Sequence, residues 1–105
     1  TSSRAFAERI RNEYPAEQGR IYVMNDLRAG FTNLYGLNFY LGNRFRNFDA
    51  ERPATGCFLS ADRDSTLLSE RFGQQYAFRP LTHSGRSLAD VRSRVTLYRF
   101  KRIDP

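Results

Sequence analysis

Residues 33–45 run NLYGLNFYLGNRF, the densest aromatic and leucine cluster in the chain. Leu34, Tyr35, Leu37, Phe39, Tyr40 and Leu41 fall within eight residues, with no β-branched side chain and no charge before Arg44. Such a run suits a ligand platform, a membrane-contacting helix or a core element. The spacing separates them. Phe31, Leu34, Leu37 and Leu41 recur at steps of three and four, the period of one helix face. Gly42 follows where a left-handed residue closes a helix. Residues 32–41 are therefore expected to form a helix with its leucine stripe on a sheet. Tyr35, Asn38 and Phe39 fall on its flanks as an aromatic edge. Ten residues are too few to cross a bilayer, which takes about 20.

Outward from this helix, the apolar spacing alternates between helix and strand. SSRAFAERIRNEY places Phe6, Ile10 and Tyr14 on one helical stripe, capped by Ser2 or Ser3 and ended by Pro15 and Gly19. RIYVMN, residues 20–25, is a strand apolar on both faces. RFRNFD reads as a short strand that offers Phe45 and Phe48 to the core, and TGCFLSA as a buried strand. DRDSTLLSERFG is a helix with Asp62 as N-cap, Asp64 in the first turn, Leu67, Leu68 and Phe72 inward, and Gly73 beyond its end. QYAFRPL is expected at a sheet edge, because Pro80 has no N–H to give a ladder. A loop from Thr82 to Val91 leads to RVTLYRFKRI, apolar on both faces. The order α-β-α-β-β-α-β-β predicts one α/β domain over residues 1–105, a compact sandwich with a five-stranded mixed sheet and three helices.

The 40% hydrophobic and 27% charged fractions are those of a globular chain, and no apolar run reaches membrane-spanning length. The start lacks both an initiator Met and a secretory-type apolar core, which suggests a piece of a longer chain. The net charge of +6 is uneven. Residues 1–78 hold ten Lys/Arg against nine Asp/Glu, whereas residues 79–105 hold seven against two. Sixteen of the seventeen cations are Arg, which binds phosphate and carboxylate through two parallel donors. Arg86, Arg92 and Arg94, in and beside the loop, are the expected contact with an anionic surface. The bland reading is a solvated face.

Catalytic patterns are missing. Cys57 is the only cysteine, set among small and apolar residues, and reads as a buried inert thiol. His83, Ser84 and Asp90 share one segment without a nucleophile-elbow motif. Asp62 and Asp64 lie two apart, off a common helix face, and capping accounts for them. Phosphate-binding glycine loops, paired cysteines and nucleic-acid motifs are absent. No catalytic, cofactor-binding or metal-binding residue is assigned, no cofactor is implied, and nucleic acid is not expected as a partner.

RIYVMNDLRAGFTNLYGLNFYLGNRFRNF, ATGCFLSADRDSTLLSERFG and LADVRSRVTLYRFKRI, taken in order, resemble the C-terminal soluble tail of bacterial polytopic glycosyltransferases of the aminoarabinose transferase and protein mannosyltransferase group. The resemblance spans about Arg20 to Ile103 and rests on aromatic and glycine patterns such as FYLG and LYRF. It implies a parent enzyme in the inner membrane of the cell envelope that moves a sugar from a polyprenyl-phosphate donor to a lipid or protein acceptor. This domain would then be a noncatalytic, periplasm-facing accessory to that enzyme, inactive alone. Its partners would be the transmembrane part of the parent and anionic lipid head groups. The alternative is a stand-alone binding domain for a carbohydrate or anionic partner.

Overall fold

Seven uncharged residues, Thr55–Ala61, form the strand at the middle of the molecule (β3), and six of them are buried. The computed structural model describes residues 2–24 and 27–103, with the Leu27 side chain left out; Asn25 and Asp104, which entered the sequence reading, lie outside the described residues. β3 pairs in parallel with β1 (Ile21–Val23) and antiparallel with β5 (Val95–Arg102). β2 (Arg46–Asn47) adds in parallel outside β1, and β4 (Tyr76–His83) pairs antiparallel with β5. The sheet order is β2-β1-β3-β5-β4, a five-stranded mixed sheet. The predicted α/β class and strand number hold, with Pro80 on an edge strand.

Strand side chains alternate between faces, which divides the core in two. Ile21, Val23, Cys57, Leu59, Val95 and Leu97 lie on one face, under α1 (Ser3–Glu13) and α2 (Tyr35–Tyr40). Tyr22, Phe58 and Phe100 lie on the other, against α3 (Phe48–Glu51) and α4 (Ser65–Phe72). Helix α1 forms as its stripe predicts. The Ser2 side chain accepts from the Ala5 N–H, and Phe6 and Ile10 are buried. Helix α2 is shorter than its apolar period, starting after Leu34 and closing at Gly42, whose φ of +88° is the left-handed turn expected there. Its stripe is also divided. Leu34, Leu37 and Leu41 join the α1 side, whereas Phe31 joins the α4 side.

Three expectations are corrected. Phe48 is buried but starts a helix, because the Asn47 side chain caps it by accepting from the Ala50 N–H. The described residues therefore hold four α-helices where three were expected. Asp62 is not the cap of α4: Asp64 holds that position, and its side chain makes no capping hydrogen bond there. Asp62 accepts from Thr96 Oγ1 at 2.6 Å and from Arg94 Nε at 2.5 Å, and Asp64 accepts from the Thr32 N–H at 2.8 Å. Each aspartate thus ties a distant segment to the start of α4. Gly73 follows the end of α4, as expected, in right-handed helical geometry (φ −64°).

Candidate functional site

Helix α2 has room for one and a half turns of side chains, and with Leu37 directed at the core the remaining aromatics face outward. Tyr35 is 71% exposed, Phe39 65% and Tyr40 39%, so three large rings stand in solvent on one short helix. Tyr35 and Phe39 are four residues apart and share a face. Phe39 and Tyr40 pack edge to face with ring centres 5.2 Å apart. Asn38, expected on this edge, turns inward in function: its Oδ1 accepts from the Phe45 N–H at 3.2 Å and its carbonyl from the Asn43 N–H at 2.7 Å. It holds the turn that follows α2. Arg11 of α1 donates to the Tyr40 carbonyl, an anchor with no signal in the local sequence.

The segment between β4 and β5 is pinned, not loose. Leu88 and Val91 are buried on the α1 side, and Leu88 pairs with Ser93 across a tight turn. Ser84 Oγ donates to the Arg86 carbonyl at 2.6 Å and accepts from the Val95 N–H at 3.1 Å. Asp90 Oδ1 accepts from Ser3 Oγ at 2.8 Å. The same carboxylate lies against Gly36, where an added Cβ would sit 2.4 Å from Asp90 Oδ2. The glycine lets the segment touch α2, which places the arginine-bearing turn beside the aromatic helix. Two of the three expected arginines, Arg86 and Arg92, are exposed there and form no ion pair with a described residue. Arg94 is engaged elsewhere, on Asp62.

His83, Ser84 and Asp90 make no hydrogen bond to one another. His83 Nδ1 accepts from the Gly85 N–H at 3.0 Å, Ser84 binds backbone, and Asp90 binds Ser3. The geometry contains no nucleophile–base pair at these residues.

Cys57 is buried, with Sγ 3.5 Å from Glu17 Oε2, and Glu17 in turn accepts from Arg99 at 3.1 Å. Burial, and then the Glu17 charge, push the thiol from 9.0 up to about 12. Nucleophilic reactivity requires the thiolate, so Ellman's reagent at pH 8 is expected to leave the native thiol unmodified and to titrate it fully in denaturant. Because the folded value lies above the unfolded one, the associated stability is complete below pH 9 and falls as pH rises toward 12. Rapid labelling of the native protein at pH 8 would contradict this burial.

Fold and surface together define a mixed α/β domain with an aromatic helix flanked by an arginine-bearing turn. No family model, curated protein or solved structure matches the chain. No helix among the described residues is long and apolar enough to cross a membrane.

Proposed function

We propose that the chain is a noncatalytic domain on the periplasmic side of a membrane glycosyltransferase that uses a polyprenyl-phosphate sugar donor. In this reading α2 and the 84–94 segment rest on the transmembrane part of the parent and on anionic lipid head groups. The observation that supports it is the juxtaposition of Tyr35, Phe39 and Tyr40 with the turn that carries Arg86 and Arg92. Amphipathic aromatic rings favour the head-group layer. A basic side chain near an anionic surface contributes about 1 kcal/mol within a Debye length of about 8 Å.

Sedimentation with anionic phospholipid vesicles tests the reading. Binding is expected at low salt and should weaken as salt rises. Changing Arg86 and Arg92 together to Gln should lower affinity by about tenfold or more, given about 1 kcal/mol for each. Arg94→Gln should change it little, because that guanidinium is held by Asp62. Tyr35→Ser with Phe39→Ser should weaken binding at every salt concentration. No binding at low salt, or an arginine double variant that binds like the parent, would overturn the reading.

A further inference from the structure

The β4–β5 ladder has a break with a consequence for one side chain. Phe78 stands opposite Phe100 and Pro80 opposite Tyr98, but Thr82 stands opposite Leu97 and His83 opposite Thr96. One extra residue has entered β4. In an unbroken ladder Thr82 would face Thr96, and His83 would share the inward face of Val95. Leu81 stays on the α1-side core, where plain alternation already puts it, and the bulge moves His83 to the same face as Thr96 and Tyr98. Bulges of this kind re-aim side chains beside binding sites.

On that face, past the cover of α4, two cavities of about 310 and 430 Å³ share Ser65 and Tyr98 and form one groove. Its size falls within the ~300–1,000 Å³ of small-molecule sites. Phe78, Pro80 and Tyr98 give an apolar floor. Asp62, His83 and Arg94 line the other end with Thr96. Asp62 is held in place by Thr96 and Arg94, so the carboxylate is fixed in position and its charge is balanced. The His83 Nδ1 accepts a backbone N–H, which leaves the proton of the neutral ring on Nε2. Burial, and then the Asp62 charge, raise the Tyr98 phenol above its ordinary value, so it remains a donor at neutral pH.

We propose that this groove binds one ring of a neutral saccharide, stacked on Tyr98 and Pro80 with its hydroxyls directed to Asp62, Ser65 and His83. An aromatic–proline floor matches the apolar face of a pyranose, and a carboxylate, an imidazole and hydroxyls match its alternating donors and acceptors. The cancelled charges of Asp62 and Arg94 favour an uncharged ligand, since a phosphate would meet the Asp62 carboxylate. The groove lies on the sheet face opposite α2, and the inference does not depend on the membrane reading.

Nitrogen-15 NMR titration with the methyl glycosides of glucose, galactose and mannose tests it. At least one is expected to give saturable shifts confined to the amides of residues 62–65, 83 and 96–98. Tyr98→Ala should weaken that response by about tenfold, the loss of one stacking contact. Ser65→Trp, at an exposed position on the groove wall, should keep the fold and abolish the response by filling the space. Phe39→Ser should leave it unchanged. Absence of saturable shifts with all three glycosides, or shifts that persist in the Ser65→Trp protein, would overturn the assignment. A stronger response to inorganic phosphate at the same amides would overturn it too, in favour of an anion site.

Discussion

Phe48→Ala is expected to cost about 3–5 kcal/mol, the range for removing a fully buried aromatic ring from a core. Phe48 has no solvent exposure, and its ring centre lies 5.2 Å from Phe58, 5.0 Å from Phe72, 4.8 Å from Tyr76 and 5.1 Å from Phe100. These are mostly edge-to-face contacts, each of which adds to the area removed from water. A domain of this size has about 5–15 kcal/mol of stability in all, so the variant should be close to unfolding at room temperature. Urea denaturation measures the loss. A change below about 1 kcal/mol would mean that the α4-side core closes around the missing ring or that Phe48 is not its centre.

Leu37→Ala should be the second large effect, at about 2–5 kcal/mol. Leu37 is 1% exposed and packs in the α1-side core, whereas Phe39, two residues on, is 65% exposed. The paired control Phe39→Ala should therefore stay within about 0.5 kcal/mol. The contrast tests the phase of α2 directly. Equal losses at both positions, or a larger one at Phe39, would show that the helix presents the opposite face to the sheet.

Local pattern made the α1 stripe, the buried β3 run, the edge position of β4 and the apolar phase of α2 legible in the sequence. What stayed illegible depends on partners far along the chain. Asp62 reads as a helix cap, yet α4 begins only at Ser65 with Asp64 in the cap position, and Thr96 and Arg94 hold the Asp62 oxygens. RFRNFD has strand-like composition, but Asn47 caps a helix before the strand can lengthen. The aromatic edge and the arginines were each legible, and their adjacency was not, because it depends on Gly36 admitting Asp90. Sequence order groups His83 with Ser84 and Asp90 in one segment. The single added residue in β4 gives it Thr96 for a neighbour instead, and alternation alone predicts no such insertion.

The strand order has a consequence for synthesis. β5 lies between β3 and β4, and β4 has no other partner in the sheet. As the chain leaves the ribosome, β4 emerges before the strand that must separate it from β3. During that interval Tyr76 and Phe78 have no ladder to join, and β3 offers an open, apolar edge to any passing strand. Only when residues 95–102 arrive can the sheet close, in one step, from both sides of the newcomer. The domain therefore has a window of vulnerability while it is being made, of the kind in which nascent chains depend on chaperones.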